Sequence, residues 1–149
     1  MKRIKYFLLV VMTVLAGGMF TACTDDANDW SDGTPRQWSP IQVTVSAGDT
    51  YAVLSKFYAA GATGYVVQVA TDENFTENMM EFSIPKVTSE ETYEIAGLTP
   101  STEYYLRIKA VGDGKEDSRW LVYSKYSNTD GYRRSFNTKS SGESADTDE

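Results

Sequence analysis

From Pro40 onward the chain alternates between apolar and polar residues. Ile41, Val43 and Val45 interleave with Gln42, Thr44 and Ser46, a period of two that puts one row on a core and the other in water. Tyr65, Val67 and Val69 repeat the pattern. Its longest run sets Tyr104, Leu106, Ile108 and Ala110 against Tyr105, Arg107 and Lys109. Residues 51–58 read as a strand whose facing is open. Val53, Ser55 and Phe57 form one row, Ala52, Leu54 and Lys56 the other, and neither is wholly apolar. Either this strand is buried unevenly or a bulge resets its phase. Residues 79–84, 92–95 and 132–138 supply three more short strands, with Phe136 facing inward, and Phe75 tucks under an edge in the connection before residue 79. Turn residues separate these runs, as in Ala47-Gly48-Asp49-Thr50 and Gly97-Leu98-Thr99-Pro100. Seven short strands without a helical period predict an all-β antiparallel sandwich.

The first forty residues have a different pattern. Lys2, Arg3 and Lys5 form a basic start, and residues 6–20 are mostly apolar but short of the roughly 20 residues a spanning helix needs. The run ends in Phe20-Thr21-Ala22-Cys23, small residues before a cysteine, which is signal-peptide anatomy. The polar, acidic stretch after it, with Asp25, Asp26, Asp29 and Asp32 around Trp30, cannot bury a core and reads as a tether. Those acids lack the regular spacing and distal glutamate of a calcium loop. The predicted organisation is a signal peptide over 1–22, an acidic flexible tether over 23–38, a sandwich domain over 39–138 and a disordered acidic tail over 139–149. Trp38 is expected to plug the base of the sandwich.

Composition narrows the chemistry. The 149 residues carry a formal charge of −7, but residues 35–138 hold 13 acids and 10 bases, so the excess lies in the ends. Nucleic acid is a poor partner for such a surface, since phosphate binding needs a basic face. With one cysteine and no histidine, an intrachain disulfide, a His- or Cys-based metal site and a histidine triad are all excluded. Serines lack a base to activate them, and Gly112-x-Gly114-Lys115 lacks the spacing of a phosphate loop. Carboxylates at 72–77 and 90–94 sit in turns and on polar rows, where acids are ordinarily solvated. The chain is read as a non-enzyme without cofactor or metal.

Three stretches carry a resemblance. Leu98-x-Pro100-x-Thr102-x-Tyr104-x-Leu106-x-Ile108-x-Ala110 resembles the start of strand F in fibronectin type III domains. Gly61-Ala62-Thr63-Gly64-Tyr65-x-Val67 resembles their B–C turn and strand C, and Ser124-x-Tyr126-Ser127-Asn128 the approach to strand G. The resemblance covers about residues 40–138 and implies a seven-stranded immunoglobulin-like sandwich. It also implies that Tyr104 forms a tyrosine corner, its hydroxyl bonded to backbone upstream. A tryptophan is usual near the end of strand B. Lys56 stands about there, so Phe57 or Tyr58 must fill that space through a shift. Cys23 resembles the lipidated cysteine of bacterial lipoproteins, although Phe20 departs from the usual leucine. The acidic run after it is similar to that of surface-exposed Bacteroidota lipoproteins, as are Pro35 to Pro40 and Asp117 to Trp120. The resemblance implies a lipid-anchored protein of the outer membrane, at the cell surface, whose membrane partner is reached through Cys23.

The segment 112–131 is the functional candidate. It carries Arg119, Trp120, Tyr123 and Tyr126 among Asp, Ser and Lys, a mixture suited to sugar stacking or a protein hot spot. The competing reading packs Trp120 and Tyr123 back on the sheet as an extra strand or hairpin. Two functions follow: a binding or presentation module for glycan or a protein partner of glycan uptake, or a spacer or amino-terminal portion of a longer polysaccharide-related protein.

Overall fold

The computed structural model describes residues 34–145 apart from Lys86, Val87, Ser89 and Asp130. The signal segment, Cys23 and Trp30 lie outside the described residues. The described residues form ten strands: β1 (Thr44–Ala47), β2 (Tyr51–Ser55), β3 (Gly64–Ala70), β4 (Met80–Pro85), β5 (Tyr93–Ala96), β6 (Glu103–Val111), β7 (Leu121–Val122), β8 (Lys125–Ser127), β9 (Gly131–Arg133) and β10 (Ser135–Asn137). One antiparallel sheet has the order β1-β2-β5. The other has the order β10-β6-β3-β4, with β7 also on β6. β8 and β9 form a separate two-stranded ribbon.

The period-two rows become the core between the sheets. Val67, Val69, Leu106, Ile108 and Ala110 from one sheet face Ala52, Leu54 and Ile95 from the other, all fully buried. β6 buries every second residue along its length. The open phase of residues 51–58 is settled by Lys56, whose φ of 57° is left-handed. That one residue turns the chain over after β2. Ala52 and Leu54 point inward before it, and Phe57 points inward after it at 1% exposure. Phe57 meets Tyr65 edge-on at 5.1 Å; of the two residues expected to stand in for a strand-B tryptophan, Phe57 is the buried one and Tyr58 is exposed.

Both expected ends of the domain need correction. Trp38 does not plug the base; it is 73% exposed. Pro40 and Gln37 are buried there instead. Residues 34–38, expected in the tether, lie along the connection after β6. Gln37 N donates to the Glu116 carbonyl at 2.8 Å, and Arg36 bridges the Glu116 carboxylate at 2.9 Å. The Gln37 side-chain amide donates to the Ala60 carbonyl at 2.7 Å, which satisfies a polar group that would otherwise be costly to bury. At the other end, residues 139–145 are tied to the β1–β2 turn rather than disordered. Lys139 N reaches the Gly48 carbonyl at 2.8 Å, Gly142 N reaches an Asp49 carboxylate oxygen at 2.8 Å, and Ala145 N reaches the Tyr51 hydroxyl at 3.0 Å.

The strand count resolves to seven sandwich positions. Leu121 pairs with Ile108 and Val122 with Arg107, and Tyr123 N donates to the Leu106 carbonyl at 2.8 Å. Ser135 then pairs with Tyr105 and Phe136 with Tyr104. β7 and β10 are therefore two halves of one seventh strand. Residues 124–134 leave that strand after the partner of Leu106 and return at the partner of Tyr105.

Candidate functional site

Two tyrosines brace the sandwich by the same device. The Tyr104 hydroxyl accepts from Thr99 N at 3.0 Å, across the turn before β6, and its ring stacks on Phe136. The Tyr65 hydroxyl accepts from Ala59 N at 3.0 Å, with both residues buried. Burial pushes the Tyr65 hydroxyl pKa upward, so it stays protonated well into the alkaline range.

The four aromatic-segment candidates fall into separate surroundings. The connection after β6 is pinned: Ser118 N donates to the Ala110 carbonyl at 2.9 Å, and Ala110 N donates to the Ser118 hydroxyl at 2.8 Å. This sets Trp120 against the outer face of the β6 sheet. Its ring lies 4.6 Å from the Arg107 guanidinium carbon and 5.0 Å from the Lys109 ammonium. Phe75 covers the same guanidinium at 4.2 Å, which explains why that ring is buried. Arg107 donates to the Gln68 side-chain oxygen at 2.7 Å, and Gln68 in turn to Glu81 at 2.6 Å. Trp120 thus covers the β6 end of a polar row, Arg107-Gln68-Glu81, that runs across three strands.

Tyr123, a candidate for ligand contact, is a core residue. It is 4% exposed and edge-on to Phe136 at 6.2 Å, because the seventh strand still faces inward at that position. Burial pushes its pKa upward. Arg119 and Tyr126 are exposed.

Tyr126 lies on the ribbon, the part of the segment that the sandwich does not absorb. β8 and β9 pair Lys125 with Arg133, Tyr126 with Tyr132, and Ser127 with Gly131. Directly opposed residues share a face, with Cβ atoms about 5 Å apart. Tyr126 and Tyr132 therefore stand on one face of the ribbon, 72% and 63% exposed. Gly131 takes a φ of 72° where the ribbon turns back, a conformation glycine adopts without strain. Arg134 bridges Glu73 at 3.2 Å and fastens the ribbon's return to the β3–β4 connection.

Lys125 and Arg133 occupy the other face of the ribbon. They border a groove of about 300 Å³ between the ribbon and β1, which Lys139 also lines. Tyr123 and Phe136 form part of its lining, and no acid lines it among the described residues. Tyr132, Lys125 and Arg133 were not singled out from sequence. Their signal was a short alternation, Lys125-Tyr126-Ser127 and Tyr132-Arg133, around Asn128-Thr129-Asp130-Gly131, whose Asp-Gly is hairpin chemistry.

Solved structures of similar fold include a computationally redesigned β-sandwich protein, 19% identical over 69% of this chain and 91% of that one, with a TM-score of 0.49. The FN5 domain of Drosophila Lar is 14% identical, over 71% and 97%, at 0.45. The FN1–FN3 domains of chicken CNTN1 are 16% identical, over 71% of this chain and 32% of that one, also at 0.45. No curated protein matches. Fibronectin type III domains are typically non-catalytic structural or binding modules. The fibronectin type III domain family matches residues 37–123, and the match stops at the last residue before the ribbon leaves the seventh strand. With more than half of its length in that match and two antiparallel sheets built on it, the chain belongs to the fibronectin type III domain family.

Proposed function

We propose that the protein is a lipid-anchored surface module that recognises glycan through the ribbon inserted in its last strand. The observation that carries this reading is the Tyr126–Tyr132 pair. A cross-strand aromatic pair steadies a hairpin by a few tenths of a kcal/mol to about 1 kcal/mol. That gain does not require both rings to remain mostly in water, on an element outside the shared sandwich. Rigid rings with exposed faces and polar tips suit the apolar faces of sugars and their hydroxyls. Arg119 is the other exposed candidate of the segment. No catalytic step enters this reading.

Anchoring rests on the sequence: the basic start, the short apolar run and Cys23 after small residues support lipidation of that cysteine. The acidic stretch beyond it supports a solvated tether at the outer-membrane surface. Cys23→Ala is expected to lose lipid labelling and membrane retention.

Recognition is tested by glycan arrays with the detergent-solubilised full chain, comparing wild type with Tyr126→Ala/Tyr132→Ala. The double variant is expected to lose the bound glycans with an unchanged unfolding midpoint. If the wild type bound none, or the variant bound equally, the reading would be overturned. A spacer role is the second reading. It is favoured by the pinning of the connection after β6 through Arg36, Gln37 and Ser118, which leaves that connection little freedom to shape itself around a ligand.

A further inference from the structure

We infer that the end of the sandwich at which the chain enters seats on the lipid surface that holds the anchor, through Trp38, Ile41 and Tyr58, and so turns the ribbon outward. This rests on the anchoring reading above and adds an orientation to it. Trp38 is not exposed for want of structure around it. Gln37 before it is buried, with its N–H on the Glu116 carbonyl and its side-chain amide on the Ala60 carbonyl. Ser39 after it donates to the Arg119 carbonyl at 3.0 Å, and Pro40 is buried. The backbone is fixed on both sides, yet the indole stands in water. Ile41, next to Pro40, is 88% exposed, and Tyr58, two residues from Ala60, is exposed as well.

Apolar residues scattered singly over a surface need no explanation, whereas several gathered at one end mark a contact surface. Charge sets this end apart too. Neither residues 37–43, which lead into β1, nor residues 57–63, between β2 and β3, include a charged side chain, in a chain where 23% of residues are charged. The connection after β6 brings charges to the same end, but its Glu116 pairs with Arg36 and its Asp117 with Lys109. Tryptophan and tyrosine, apolar in body and polar at the tip, favour the headgroup region of a bilayer.

The entry point of the chain says which surface meets them. Thr34 is eleven residues beyond Cys23, and Pro35 beside it accepts from Glu116 N at 3.1 Å, at this end of the sandwich. Eleven residues span at most about 40 Å fully extended, and about 20 Å as a relaxed chain. An anchor at Cys23 therefore keeps Trp38 close to the bilayer, where a contact too weak to hold a free protein forms at high effective concentration. The ribbon lies toward the other end. It leaves the seventh strand opposite Leu106 and returns opposite Tyr105, near the start of β6, and Arg134 ties it to the β3–β4 connection. With Trp38 on lipid, Tyr126 and Tyr132 are carried away from the bilayer.

The test couples the full chain through the thiol of Cys23, its one cysteine, to maleimide-bearing phosphatidylcholine vesicles. Coupling fixes the tether point whether or not a cell lipidates Cys23, so this test and the lipid-labelling test of the anchor fail separately. Trp30→Phe leaves Trp38 and Trp120 as the two fluorophores. Brominated acyl chains are expected to quench its emission, and Trp30→Phe/Trp38→Phe should lose that quenching. Ile41→Asp in the Trp30→Phe chain should weaken it without moving the urea midpoint. Absence of quenching, or equal quenching with and without Trp38, overturns the seating. A blue shift of Trp38 emission that appears without vesicles, rises with protein concentration and accompanies a dimer in sedimentation assigns the surface to a second copy and overturns it too.

Discussion

Tyr65→Phe and Tyr104→Phe remove the same atom from the same kind of bond, so the difference between them isolates what burial does. Each hydroxyl accepts from a backbone N–H at 3.0 Å. Ala59 and Tyr65 are 4% and 2% exposed, so deleting the Tyr65 hydroxyl leaves a donor in the interior with no water to replace its partner. An orphaned buried group costs about 1–3 kcal/mol. Thr99 lies at an exposed turn, and its N–H can turn to solvent once the Tyr104 hydroxyl is gone. Only the net value of a hydrogen bond is lost there, about 0.5–1.5 kcal/mol. The ring packing of both residues is kept in the variants: Phe57 against position 65 and Phe136 against position 104. In urea unfolding, with a slope of about 1–2 kcal/mol per molar, Tyr65→Phe should lower the midpoint by about 1 M and Tyr104→Phe by about half that, at constant slope. Equal shifts, or a larger one for Tyr104→Phe, would refute the assignment of the Tyr65 bond as the costlier to break.

Trp120→Ala uncovers Arg107 and Lys109 and should cost about 1–3 kcal/mol in the same assay, combining lost ring burial with two cation–π contacts. An unchanged midpoint would mean the ring does not roof that face. The Asp72 carboxyl is held below its ordinary pKa, first by the Glu77 N–H and further by Thr76 and Asn74; the Asp49 carboxyl is held down first by the Gly142 N–H. Depressed folded values mean that both carboxylates stabilise the fold above the unfolded pKa of about 4, and that the contribution is lost as pH falls through the folded values. Wild type should therefore lose stability on acidification below about pH 4, and Asp72→Asn should lose less over that interval. Parallel pH curves for the two proteins would contradict this.

The sandwich was legible because its signal is repetitive. β6 alternates over nine residues, and each inward position is confirmed by burial. Phe57 was legible as a candidate for the missing tryptophan, but its phase was not. That phase depends on a single left-handed residue, Lys56, of a type with no preference for that conformation. Trp38 misled because size and apolarity argue for burial in isolation. Gln37 goes inside instead, because Ala60 supplies a carbonyl partner that only the folded chain brings near. The ribbon was half legible. Tyr126 stood out as an aromatic, whereas Tyr132, Lys125 and Arg133 gain meaning only from cross-strand register. Register over three-residue strands is set by the return point on β6 and leaves little trace in sequence.

The central claim is that recognition resides in an insertion separable from the fold, and excision of residues 124–134 tests it most directly. Tyr123 faces Leu106 and Ser135 faces Tyr105, so joining Tyr123 to Ser135 makes the seventh strand continuous. The join also preserves inward-facing Tyr123 and Phe136 on either side of outward-facing Ser135. The account predicts a cooperatively folding protein that no longer binds any glycan bound by the full chain. An excised protein that folds and binds those glycans with unchanged affinity would contradict it.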